Sequence, residues 1–386
     1  MKSIRTVTVT FFIFCMSFTA FCPGVWAQTA NMTSEQKDPS VAWPEISAAS
    51  AVVLDGKTGR VLYEKNAQEK QYMASTTKIM TCLLALEDMK DKHEMITVSE
   101  YAASQEGSSI YMEPGEKISF EDLIYALMLR SGNDAAVALA EWAAGSEEAF
   151  AEKMNERAQE MGLEHTHFVT ASGLHHEEHY TTARDLGQLA FEAMKNPDFR
   201  NIVATPSWNA SREVDKLNYF YNKNKVLYQY EGGNGIKIGY TTAAGRCLVA
   251  SSQRGDIQLI CVVPSADNWF EDTYRLMDTV YENYEAVKVA DADVPLKTID
   301  VRNGEKSYTK LVARSDTQIP LTGAEKETLQ IRYRLSEEVK APVRRGEVLG
   351  KMEVYISGQK AGEIDLVARE DIDISQTAPA FFQIFS

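Results

Sequence analysis

The stretch that decides the fold runs Ser75-Thr-Thr-Lys-Ile-Met-Thr-Cys-Leu-Leu-Ala-Leu-Glu87. Ile79, Met80, Cys82, Leu83, Leu84 and Leu86 cover every face of a 3.6-residue period, which predicts a helix that lies inside a domain rather than on its surface. At its start Ser75 and Lys78 share a face, one turn apart. An amine so placed takes the hydroxyl proton when its pKa is depressed, the minimum for a serine nucleophile, and the first-turn amides of the helix can face a developing oxyanion. The spacing alone is weak, because Ser34 and Lys37, Ser307 and Lys310, and Ser357 and Lys360 repeat it. Only the copy at 75 opens a long apolar helix.

Upstream, Ser50 to Leu54 and Arg60 to Tyr63 read as strands joined by the turn Asp55-Gly-Lys-Thr-Gly59. Downstream, Ser119-x-x-Asp122 predicts a cap for a helix through Arg130, and Ala135 to Trp142, Glu147 to Met161 and Thr182 to Met194 continue a helical block. Strand patterns return at Arg246 to Ser251 and Ile257 to Val263, and a helix from Trp269 to about Tyr284 follows. Strands first, helices in the middle and strands last describe a sheet closed by both ends of the unit, with helices packed on it. Beyond about residue 292 short alternating runs such as Leu329 to Leu335 and Met352 to Ile356, punctuated by glycines, predict a separate all-β domain. The expected division is 1–27 signal peptide, 28–47 linker, 48–288 main domain, 292–375 β-rich domain and 376–386 apolar tail.

The chain has 386 residues, 44% apolar and 25% charged, enough for two ordinary domains. Its net charge of −15 excludes an electrostatic footprint for nucleic acid, so an anionic substrate must be caught by local cations. Lys2 and Arg5, an apolar run from Val7 to Cys22 and Val25-Trp-Ala27 read as a secretory signal peptide, and place the mature protein outside the cytoplasm. Cys82, Cys247 and Cys261 then remain, an odd number in apolar surroundings, read as buried hydrophobes. His175, His176 and His179 lack metal-ligand spacing; neither a metal nor any other cofactor is expected.

A nucleophile on a helix needs a proton shuttle and substrate clamps. Ser131-Gly132-Asn133 places short polar side chains between two helices, although Asn133 alone reads equally well as a helix N-cap. A cation on an edge strand would hold a carboxylate. Lys57-Thr58-Gly59 fits Lys-Thr-Gly but belongs to the hairpin turn; the better candidate is Lys237-Ile238-Gly239, leaving a Gly-rich loop before Tyr240.

These pieces, in this order, are the set found in penicillin-binding proteins and class A β-lactamases. Residues 48 to 285, including Ala74-Ser-Thr-Thr-Lys-Ile-Met80, Leu129-Arg-Ser-Gly-Asn-Asp-Ala-Ala136, Ala171-Ser-Gly-Leu174 and Asn222-Lys-Asn-Lys225, resemble the low-molecular-mass D-alanyl-D-alanine carboxypeptidases, a family of serine DD-peptidases. Glu106 to Tyr111 and Asn268-Trp269 resemble that family's sporulation-associated branch in Gram-positive bacteria, and the β-rich tail its C-terminal domain. The resemblance implies an α/β (α+β) penicillin-binding/β-lactamase-like transpeptidase domain: an antiparallel sheet with helices packed on it, followed by a small all-β C-terminal domain. It implies that Ser75 attacks the penultimate D-Ala of a peptidoglycan stem peptide, with Lys78 as base. Ser131 would pass the proton to the leaving group, Asn133 would bind the peptide, Lys237 would face its carboxylate beside Gly239, and the amides of Ser75 and Tyr240 would form an oxyanion hole. β-Lactams would be covalent inhibitors.

Two features depart from that family. Ile238 stands where the family has Thr, removing a hydroxyl that helps hold the carboxylate. The tail Ala378 to Phe385 is too short for firm anchoring, so loose contact with the membrane surface, or release, is expected of a monomer in the cell envelope. A β-lactamase would need a deacylating Glu-x-x-Leu-Asn, which is missing from the sequence. A non-catalytic or weakly active peptidoglycan-binding scaffold, disabled by Ile238, is the alternative.

Overall fold

The computed structural model describes residues 35–212 and 217–375; the signal peptide and the apolar tail expected from the sequence lie outside the described residues. Six strands form the first sheet: β1 (Glu35–Lys37), β2 (Ala51–Asp55), β3 (Val61–Lys65), β4 (Gly233–Thr241), β5 (Gly245–Arg254) and β6 (Ile257–Val263). They lie in the order β1-β3-β2-β6-β5-β4, all antiparallel. The early and late segments join where Val53 faces Cys261 and Leu54 faces Ile260.

Alternation along these strands feeds two cores. Val52, Leu54, Val249, Ile260 and Val262 point into a large core with α1 (Lys78–Asp88), α2 (Asn133–Ala144), α3 (Glu147–Glu160) and α4 (Ala183–Ala193). Val53, Leu248, Leu259, Cys261 and Val263 point the other way, against α5 (Trp269–Asn283). Helix α1 is buried from Lys78 to Leu86, as its all-round apolar sequence requires. Cys82, Cys247 and Cys261 are free thiols and buried. Asp55 and Thr58 bond to each other in the turn after β2, so the Lys57-Thr58-Gly59 string is structural.

The stretch 28–47, expected as a linker, is packed on this lobe in its described part. Strand β1 pairs with β3, Val41 is buried, and the Trp43 and Tyr63 rings lie 4.7 Å apart. Asp272 accepts from the Ser47 and Ala48 amides at 3.1 and 3.0 Å and from the Ser47 hydroxyl at 2.7 Å. The apolar residues Val41, Trp43 and Ile46 were masked by polar neighbours in the averaged composition.

The second lobe is a six-stranded sheet of β7 (Lys297–Arg302), β8 (Tyr308–Ala313), β9 (Gln330–Leu335), β10 (Val339–Lys340), β11 (Val348–Ile356) and β12 (Gln359–Ala368), ordered β9-β11-β12-β8-β7-β10. It has its own core around Leu311, Leu321, Met352 and Leu366, and one short helix, Gly323–Thr328. The lobes meet through an Arg60–Glu325 ion pair, Arg60 donating to the Pro320 carbonyl at 2.8 Å, and Thr322 donating to Asp38 at 2.5 Å. A cleft of about 540 Å³ between them, lined by residues such as Arg60, Arg184, Glu325 and Lys360, holds none of the candidate catalytic residues.

Candidate active site

Ala74–Thr77 form a single tight helical turn that runs into α1. Ala74 has φ +45°, a left-handed backbone that is strained for a residue with a Cβ. The turn is pinned by its own side chains: Thr76 Oγ1 donates to the Met73 carbonyl at 2.5 Å and Thr77 Oγ1 to the Ala74 carbonyl at 2.7 Å. Its neighbours are buried while Ser75 stays half-buried, facing the groove.

Lys78 is fully buried. Its Nζ lies 3.1 Å from Ser75 Oγ, 2.8 Å from Asn133 Oδ1 and 2.5 Å from the Ser172 carbonyl. Burial pushes its pKa well below the ordinary lysine range; Lys237 lowers it further, while Asp134 and Glu147 oppose the shift. A neutral amine has two N–H donors and one lone pair. Two of its three partners are carbonyl oxygens with no proton to give, so the donors go to them and the lone pair faces Ser75, whose hydroxyl can supply a proton. An amine and a hydroxyl so arranged can act as a general base and a nucleophile.

Ser131 and Asn133 follow the helix that Ser119 caps, as expected, but its last turn, Ala126–Arg130, is widened. The Ser131 amide reaches back five residues to the Ala126 carbonyl, and Ser131 adopts φ +65°. Such bulges re-aim the residues that follow them. The Ser131 hydroxyl is nearly buried and has no hydrogen-bond partner among the described residues. Asn133 is not the N-cap of α2; Gly132 is. The Asn133 side chain spans the groove instead, accepting from Lys78 and donating to the Glu106 carbonyl at 2.6 Å. Next to it, buried Asp134 accepts from the Ser109 hydroxyl at 2.6 Å and the Ile110 amide at 3.0 Å, fixing the 106–112 loop against α2.

Edge strand β4 forms the opposite wall. A Cβ on Gly239 would lie 2.9 Å from the Ser75 nitrogen and 3.1 Å from Ala74 Cβ, so only glycine lets the strand come this close to the Ser75 turn. Tyr240 follows, exposed. Lys237 faces the α1 side; it is buried, donates to its neighbour's carbonyl at 3.0 Å, and burial pushes its pKa down to about 7, with Lys223 adding to the shift. Ile238 points the other way and packs against the α5-side core.

Sequence reading missed several participants. Lys223, whose amide bonds to the Leu129 carbonyl at 3.3 Å, lies close enough to lower both Lys78 and Lys237, and is itself lowered by burial and then by Arg130. Lys237, Lys223 and Arg130 have no acidic partner among the described residues, which leaves a cationic corner at the end of the groove. The Ser172 and Glu106 contributions are backbone carbonyls and leave no signal in side-chain chemistry. His179, which the sequence offers only as part of a histidine cluster, is buried beside the Ser75 turn, against Thr77. No group of three metal-binding side chains occurs among the described residues.

A family model described as D-alanyl-D-alanine carboxypeptidase matches residues 34–268, more than half of the chain. The chain belongs to the D-alanyl-D-alanine carboxypeptidase family. The model for the C-terminal domain of penicillin-binding protein 5 matches residues 284–373. D-alanyl-D-alanine carboxypeptidase DacF of Bacillus subtilis is 33% identical over 362 residues, covering 91% of each chain. DacC of Escherichia coli, a carboxypeptidase of the same description, is 30% identical and covers 88% of each. Among solved structures, penicillin binding protein 5 from Haemophilus influenzae superposes with a TM-score of 0.70 at 28% identity, over 86% of this chain and 99% of that one. The expected fold and family are therefore borne out. The protein is a serine-type D-Ala-D-Ala carboxypeptidase and a penicillin-binding protein acting on cell-wall peptidoglycan.

Proposed function

We propose that the reaction runs through Ser75. Lys78 takes the Ser75 proton as Oγ attacks the carbonyl carbon of the penultimate D-Ala of a stem peptide. The amides of Ser75 and Tyr240 receive the developing oxyanion across the close approach that Gly239 allows. When the C–N bond breaks, the proton held by Lys78 passes through Ser131 to the leaving D-Ala nitrogen. Water then attacks the Ser75 ester, and Lys78 again accepts and returns a proton. Asn133 binds the peptide backbone, and Lys237 with Lys223 holds the terminal carboxylate. A β-lactam would stop at the ester stage.

The observation that carries this reading is the bonding of Lys78, whose two carbonyl partners leave its lone pair for Ser75. The scaffold alternative is not favoured, since Ile238 sits outside that proton-transfer set. Release of D-Ala from a peptide ending in D-Ala-D-Ala tests it: the wild type should release D-Ala and Ser75→Ala should not. Release by a folded Ser75→Ala protein would overturn the assignment.

The same proposal assigns the chemistry to residues 48–288 and none of it to 292–375. It takes residues 1–27 as an export signal and the cell envelope as the working place. It keeps loose membrane contact or release, a monomeric state and a role in sporulation; the last rests on the Glu106 to Tyr111 and Asn268-Trp269 stretches.

A further inference from the structure

We propose that His179 is a positioning residue for the nucleophile: an imidazole that, through Thr77, holds the Ala74 carbonyl and so the left-handed turn presenting Ser75. The inference rests on Ser75 being the nucleophile.

His179 Nδ1 accepts from the Val169 amide at 3.0 Å and the Thr170 amide at 3.3 Å. A nitrogen that accepts carries no proton, so the ring proton sits on Nε2. Nε2 lies 2.8 Å from Thr77 Oγ1 and must donate to it. Thr77 Oγ1 passes its own proton to the Ala74 carbonyl at 2.7 Å. The relay therefore runs in one sense only, from the 169–170 backbone through His179 and Thr77 to the residue before Ser75.

Three observations support a fixed role. Burial pushes the His179 pKa down to about 3, helped by His167, in keeping with an Nδ1 that only accepts. The Phe168 ring packs edge-on against it, 5.8 Å between centroids. From the other side Gly173, at φ +80°, presses on the same carbonyl: a Cβ there would lie 2.0 Å from the Ala74 oxygen and 2.7 Å from Thr77 Oγ1. The Ala74 carbonyl is thus clamped between a hydroxyl and a glycine, and Ser75 is the next residue. His175 is instead exposed and stacks edge-on to Tyr72, so the sequence cluster of histidines separates into unlike roles.

The test compares acylation rate constants with a fluorescent penicillin for His179→Gln, whose amide N–H can replace Nε2–H, and His179→Asn, whose shorter amide replaces Nδ1 but does not reach Thr77. The expected result is a loss of about tenfold or more for Asn, largely rescued by Gln, because small misplacements of a nucleophile cost rate. Thr77→Val should lose as much and Thr77→Ser little, with His179→Asn/Thr77→Val no worse than either alone. Imidazole nitrogen NMR of the wild type should show the Nε2–H tautomer. Equal rates for folded Asn and Gln variants, losses that follow melting temperature rather than the donor, or an Nδ1–H tautomer would overturn the proposal. Should His179→Asn not fold, the Thr77 pair and the tautomer decide. A wild type that is not acylated at Ser75 refutes the nucleophile assignment instead, and is told apart by mapping the adduct.

Discussion

Lys237 must be cationic to hold a carboxylate, yet burial lowers its pKa from the usual 10.5 to about 7 in the free enzyme. The cationic fraction then falls tenfold per pH unit above 7, to roughly one in a hundred at pH 9. Lys78 works in the opposite sense, since burial lowers its pKa and so favours the neutral form that a base needs. kcat/KM for D-Ala release should therefore fall above about pH 7 as Lys237 loses its charge. Lys237→Arg, always protonated, should abolish that alkaline fall while lowering the maximum, because a planar fork replaces a point charge. Stability gives a second readout with its own sign. Lys237 is protonated in the unfolded chain up to about 10.5 and in the folded one only up to about 7, so between these values the unfolded state binds more protons and stability rises with pH. The slope is about 1.4 kcal/mol per pH unit for one group, and Lys237→Met should remove that share of it. A wild-type rate that is flat to pH 9, or a Lys237→Arg profile falling at the wild-type midpoint, would refute the reasoning.

The sequence leads one to expect that the family's Thr hydroxyl matters at position 238, but this side chain lies on the α5-side face, away from Lys237, so Ile238→Thr, like the control Ile238→Val, should leave kcat/KM and penicillin acylation close to wild type. The same change removes apolar packing from the α5-side core and should lower the melting temperature slightly. Gly173→Ala places a methyl 2.0 Å from the Ala74 carbonyl at φ +80°; we expect a loss of at least about 1–3 kcal/mol in denaturant unfolding, together with slower acylation.

The sequence reading reached furthest where a pattern had a single physical meaning. The all-round apolar helix after Ser75 could only be central, and it sets this Ser-x-x-Lys apart from the three other copies. The Lys57-Thr58-Gly59 string was rightly set aside, because a turn between paired strands already explains it. Reading failed where burial depends on partners far along the chain. Asn133 was ambiguous because its cap chemistry and its bond to Lys78 use the same side chain, and only the bulge before Ser131 decides between them. Lys223 lay in a quoted stretch but drew no role, since its effect arises from proximity to Lys78 and Lys237. Residues 35–47 read as linker because Val41, Trp43 and Ile46 are too few to show a period, yet they fit a groove already formed by β3 and α5.

The central claim, that Ser75 is the nucleophile and Lys78 its base, is tested most directly by the mass of the protein after exposure to a β-lactam, followed by peptide mapping. The account predicts one adduct per chain, on the peptide containing Ser75, absent in Ser75→Ala and formed far more slowly in Lys78→Met. An adduct on another residue, or none on a folded wild-type protein, would contradict it.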